Sequence, residues 1–125
     1  MAIVRLQGTM TCPPDNLAAA QEIFAKFIAK VESEEPGVLT YHYFVDDEDP
    51  LVIHVIEEYD SPESMLSHYA GLDGELVGQL LGLIGIGPMH YFGEPTPAEQ
   101  EVLAGFGNVT YHRPLQSISR EVTSA

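Results

Sequence analysis

The chain has 125 residues, 45% of them hydrophobic, and sets 19 acidic side chains against 5 basic ones for a net charge of −14. That length suits one domain with a modest core. No Lys or Arg occurs between Val31 and His112, which excludes nucleic acid and anionic membrane surfaces as partners and leaves neutral small molecules as the easiest ligands to accommodate.

Residues 2–11, AIVRLQGTMT, alternate as a strand, with Val4, Leu6 and Met10 on one face and Arg5, Gln7 and Thr9 on the other. Pro14, Asp15 and Asn16 are helix-start residues. Apolar positions at Leu17, Ala20, Phe24, Phe27 and Val31 then recur in steps of three and four, as in an amphipathic helix. Pro36 and Gly37 close it. The segments 38–45 and 51–59 are rich in β-branched and aromatic residues and flank DDEDP, so they predict a β-hairpin with an acidic tip. A loop symmetric about Glu48 sets His42 opposite His54 and Tyr41 opposite Val55. Leu39, Tyr41, Tyr43 and Val45 then share a face with Ile53, Val55, Glu57 and Tyr59.

Ser61, Pro62 and Glu63 open a second helix that runs to about Ala70. LDGELVGQLLGLIGIGP, 72–88, is interrupted by Asp73, Glu75 and Gln79, so it is too short for a membrane span. Gly85 and Gly87 lack the third glycine of a dinucleotide loop, because position 90 is His. The remaining reading is a short helix with Gly74, Gly78 and Gly82 along one side, which either packs closely on another backbone or leaves room for a ligand. A short strand is expected at 88–93, a capped helix from TPAE (96–99) to about Ala104, and an edge strand in GNVTYHRPL. The order predicts an α+β, ferredoxin-like β-α-β-β-α-β unit with an antiparallel sheet, an extra C-terminal helix and strand, and a loose tail from 116 to 125. Residues 1–115 are expected to form one domain. The outward sheet face, with Val38, Phe44, Val52 and Ile56, is too apolar for water and calls for a second copy.

Cys12 is the only cysteine. It excludes an intramolecular disulfide and a cysteine-rich metal site. With a start that lacks a signal layout, it leads to the expectation of a cytoplasmic protein with a reduced thiol.

Glu35-Pro36-Gly37, Leu39, Tyr41, the acidic turn Asp46 to Asp49, Glu57-x-Tyr59, Ser61 and His68 occur in an order and spacing that resemble the antibiotic biosynthesis monooxygenase family of dimeric α+β barrels. The likeness spans about residues 2–92; the segment 93–115 departs from the short members. The resemblance implies a homodimer with facing sheets and a pocket between each sheet and its own helices. It also implies oxidation of a quinol, phenol or anthrone by O₂ with no cofactor. Haem cleavage in the family uses an Asn, a Trp and a His together, and this chain has no Trp. The same fold also carries metabolite isomerases and non-catalytic binding modules.

His68 lies three residues after Met65 and four before Leu72, on the apolar side of its helix. It reads either as a general base for a phenolic or benzylic proton or as a hydrogen-bonded core histidine. Tyr41, Tyr43 and Tyr59, with Met65 and Leu72, read as the walls of a pocket for a flat ligand or as core side chains. Glu57 on the same face needs a partner: His68, a tyrosine, a helix end or another chain. His42, His54 and Glu58 could supply a facial metal set, but their face is the one a partner sheet should cover. DDEDP lacks calcium-loop spacing, so no metal is expected there.

Overall fold

A computed structural model describes residues 3–120. Ala2, placed by the sequence in the first strand, and the end of the expected loose tail, 121–125, lie outside the described residues. The elements are β1 (Val4–Thr11), a one-turn 3₁₀ segment (Pro14–Asn16), α1 (Leu17–Glu34), β2 (Val38–Val45), β3 (Val52–Tyr59), α2 (Pro62–Ala70), α3 (Gly74–Leu81), β4 (Gly85–Phe92), α4 (Pro97–Ala104) and β5 (Val109–His112). They form one open, five-stranded sheet in the order β2-β3-β1-β4-β5. β1 to β4 pair antiparallel, as in the ferredoxin-like unit, and β5 adds parallel to β4 at the edge.

The hairpin register differs from a loop centred on Glu48. His42 faces Ile56, Phe44 faces His54, Tyr43 faces Val55 and Tyr41 faces Glu57. The Asp46 carboxylate accepts from the Glu48 and Asp49 amides, and Asp49 from the Leu51 amide, so side-chain turns recentre the tip on Asp49. The slip is two residues, so each side chain keeps its face. One exception lies at the other end of β2. A bulge between Val38 and Thr40 turns Val38 inward, against the core, and leaves Leu39 exposed. β4 begins at Gly85, earlier than the expected 88, because Gly85 and Gly87 lie against Thr11 and Thr9 of β1. A Cβ on Gly87 would sit 2.4 Å from the Thr9 hydroxyl, so only glycine allows that approach.

The inward core falls into two clusters. One gathers Val4, Leu6, Tyr59, Met65, Met89, Tyr91 and Leu103 under α2 and α4, which touch each other. The other gathers Cys12, Ala20, Ile23, Phe24, Phe27, Ile53 and Leu80 under α1 and α3, which also touch. Along the inward face of β1 the order is Val4, Leu6, Gly8, Met10. Leu6 belongs to the first cluster and Met10 packs on the second. Gly8 between them supplies no side chain, and the two clusters do not close over it.

Among the described residues, no helix is long and apolar enough to cross a membrane. The outward face carries Arg5 bonded to Glu58 at 2.6 Å, His54 bonded to Asp46 at 3.0 Å, and His42 beside Phe44. Glu58 also accepts from Thr40. His42, His54 and Glu58 therefore have separate partners and do not converge as a metal set.

Candidate active site

The gap over Gly8 is a cavity of ≈ 150 Å³. Gly8, Val55 and Met89 form its floor, and α2, α3 and Phe106 its sides. Leu81 and Ile86, each about half exposed, are its outermost lining groups and mark the mouth. Apart from Thr9, three tyrosines, Glu57 and His68, the lining side chains are apolar. An apolar cavity of this volume holds a molecule about the size of benzene. Typical small-molecule and cofactor sites run to roughly 300–1,000 Å³. One ring fits inside, and anything longer must extend through the mouth.

His68 reaches the cavity from the last turn of α2. The Ser61 hydroxyl accepts from the Ser64 amide and Pro62 occupies the first turn, so the helix start is fixed locally. Met65, His68 and Leu72 then recur on one side, with Met65 and His68 buried. The His68 side chain is 3% exposed. Its Nδ1 lies 2.7 Å from Glu35 Oε1, and Lys30 Nζ lies 2.6 Å from Glu35 Oε2. Glu35 arrives there because Pro36 and Gly37 turn the chain onto the start of α2. A Cβ on Gly37 would lie 2.1 Å from the Ser64 hydroxyl, and the Asp60 amide donates to the Gly37 carbonyl at 2.9 Å. Burial alone would push the Glu35 carboxyl up; the bonds from Lys30 and His68 outweigh it and hold the group below the usual carboxylate range. An ionised Glu35 keeps the imidazole proton on Nδ1 and leaves Nε2 as the basic nitrogen.

Glu57, 6% exposed, is held differently. Its Oε1 accepts from the Tyr59 hydroxyl and, at 3.0 Å, from the Tyr69 hydroxyl. Burial raises its carboxyl above the usual range, offset only in part by Tyr59, His68 and Tyr69. Burial and the Glu57 charge keep Tyr59 and Tyr69 protonated well past neutrality. The Tyr41 and Tyr43 hydroxyls share a 2.8 Å hydrogen bond beside them, and Phe24 stacks on Tyr43 with ring centres 4.0 Å apart.

Glu57 Oε2 and His68 Nε2 have no hydrogen-bond partner among the described residues, where no fully enclosed polar side-chain atom is left unpaired. Both atoms must therefore reach open space, and the space their side chains line is the cavity. The structure brings His68, Glu57, Tyr41, Tyr43 and Leu72 together around that space. Tyr59 and Met65 stand behind it, fully buried in the first core cluster.

Glu57 bonds Tyr59 and Tyr69, and the carboxylate on His68 is Glu35. In the sequence Glu35 appears only as the first residue of the Glu35-Pro36-Gly37 motif in the family resemblance, with no partner assigned to it. Tyr69 offers no signal beyond its place next to His68. Gly8 is legible as a missing apolar residue in the alternation of β1. A side-chain carbon added to Gly74 or Gly78 would meet no atom within 4 Å, so close packing within the chain does not account for these glycines.

A family model described as antibiotic biosynthesis monooxygenase matches residues 3–71. No functionally curated protein matches the chain in sequence. Among solved structures, MupZ from Pseudomonas fluorescens is similar over 100% of both chains, with 23% identity and a TM-score of 0.81. A Caulobacter crescentus protein assigned to antibiotic biosynthesis monooxygenases is similar over 76% of this chain and 92% of its own, with 21% identity and a TM-score of 0.68. A conserved protein from Methanosarcina mazei covers 76% and 95%, with 16% identity and a TM-score of 0.67. The full-length likeness to MupZ takes in α4 and β5, which lie beyond the family match.

Proposed function

The chain belongs to the antibiotic biosynthesis monooxygenase family, and from that premise and the cavity we propose that it oxidises a small neutral aromatic with O₂ and without a cofactor. The substrate class is a quinol, phenol or anthrone. The observation that supports this most is His68 Nε2, unpartnered on an apolar cavity, with Glu35 bonded to the ring's other nitrogen. Nε2 takes the acidic proton of the substrate. The resulting electron-rich anion gives one electron to O₂, the two radicals combine, and loss of water from an anthrone adduct leaves the quinone. Tyr41, Tyr43, Glu57 and Leu72 hold the ring, and Tyr59 and Met65 support them. The net charge of −14 repels anions and the apolar lining disfavours any charged ring, so a neutral substrate fits best.

The working unit in this reading is a homodimer with the outward sheet faces in contact. Phe44 and Phe92 are exposed there, and Val52 and Ile56 are only half covered.

The test is O₂ uptake by metal-stripped protein with a panel of quinols, naphthols and anthrones, wild type against His68→Ala. Uptake lost in a folded variant supports the reading. Uptake that survives removes His68 from its role, and none across the panel counts against the oxygenase.

A further inference from the structure

The oxygenase chemistry uses a base, yet the cavity presents two unpartnered polar atoms, His68 Nε2 and Glu57 Oε2. Glu57 Oε1 already receives two phenolic hydrogens, so its remaining valence points to Oε2. No Lys or Arg lines the cavity. An ionised Oε2 would face apolar surface without a counter-charge, whereas a carboxylic acid there needs only one acceptor from a ligand. Burial raises the Glu57 carboxyl in the same sense. The two groups lie on one wall: Tyr59 and Tyr69, which hold Glu57, also pack on His68 with ring centres 5.7 Å and 5.1 Å away.

We propose that this pocket enolises a small, neutral, flat ketone without O₂, with His68 as base at the α-carbon and Glu57 as acid at the carbonyl oxygen. His68 Nε2 removes the α-proton, and the C–H electron pair becomes the C=C bond. The carbonyl π pair moves to oxygen, which takes the proton from Glu57 Oε2. His68 is left protonated and Glu57 ionised, and transfer of one proton from His68 to Glu57 restores both. The net change is ketone to enol, so no oxidant enters. The proposal rests on the cavity and on His68 as base, as the oxygenase reading does, but not on oxygen chemistry. Its substrate is narrower: a ring beside a carbonyl with an acidified α C–H, sized for ≈ 150 Å³.

The probe is 2-indanone in deuterated buffer under anaerobic conditions, with α-proton exchange followed by NMR. Wild type should exceed buffer by about 10²-fold or more, the usual worth of a positioned acid or base. Glu57→Gln keeps the shape and an N–H donor but has no transferable proton, so it should lose most of that gain in kcat while KM stays. Tyr69→Phe, which leaves Glu57 in place, should lose less. Exchange at the buffer rate in wild type, or an unchanged rate in folded Glu57→Gln, overturns the proposal. Exchange without O₂ uptake supports this inference and counts against the oxygenase; uptake without exchange does the reverse.

Discussion

Two glutamates are buried among the described residues, and they differ in what their second oxygen meets. Glu99, 0% exposed, has both oxygens occupied: Tyr91 donates to Oε2 at 2.9 Å, and the Thr96 amide donates to Oε1 at 2.9 Å in a complete capping box. Glu57 also takes tyrosine hydroxyls, but both fall on one oxygen, and the other opens on the cavity. The first arrangement ties α4 to β4 and leaves nothing for a ligand. The second is also buried but less satisfied, and buried polar groups left open in a fold cluster where chemistry is done. Burial of a carboxylate is therefore uninformative by itself; the tally of its two oxygens separates a structural group from a candidate catalytic one.

The contrast is broken most forcefully at Glu99. Glu99→Ala takes the acceptor from both the Tyr91 hydroxyl and the Thr96 amide while leaving the Thr96 cap itself in place, and should cost about 2–4 kcal/mol. Urea unfolding would show it, while activity per folded molecule stays near wild type. An activity loss without destabilisation would erase the distinction. Next is Glu35→Gln, which should lower turnover by up to about 10²-fold by releasing the His68 ring, with stability changed far less. Gly8→Val comes third. The β1–β4 register shifts between Gly8 and Met10, but the φ of Gly8 is not positive, and a Cβ there would stand 3.8 Å from the nearest atom, Met89 Cε. The larger side chain should fill the cavity and abolish ligand binding, measured by calorimetry, at a stability equal to wild type or better by up to about 1 kcal/mol.

A subtler difference lies in pH. The folded Glu35 carboxyl is more acidic than its unfolded value of 4.5, so its stabilisation is present above that pH and lost as pH falls through the folded value. Glu57 is shifted the other way. Its folded form keeps a proton that the unfolded chain has released, so stability falls as pH rises from 4.5 through the raised value. Glu57→Gln should flatten only this second slope in urea melts at stepped pH. The smallest effect is at Gly78, inside α3 with open space around it. Gly78→Ala should stabilise by about 0.5–1 kcal/mol; a loss instead would mean that another chain packs there.

Much of the fold is legible in the sequence because its signals are local. The steps of Ala20, Phe24 and Phe27, the Ser61-Pro62-Glu63 start and the Thr96–Glu99 box each become the element they predict. The hairpin register is not, because the side-chain turns of Asp46 and Asp49 recentre the tip. Nor is the inward turn of Val38, which depends on a bulge opposite Glu58 and Tyr59. At the site, His68 and Glu57 stand out as polar residues on apolar faces. Their partners do not, since Glu35 meets His68 across 33 positions and only through the Gly37 turn.

The most direct measurement needs no substrate: a carboxyl-carbon NMR titration of protein labelled at glutamate, wild type beside Glu57→Gln. One glutamate resonance should stay in its protonated position well above pH 4.5 and be missing from the variant, while Glu99→Ala retains it. A wild-type spectrum in which every glutamate has ionised by the usual range would contradict the role given to Glu57, which would then have no proton to give.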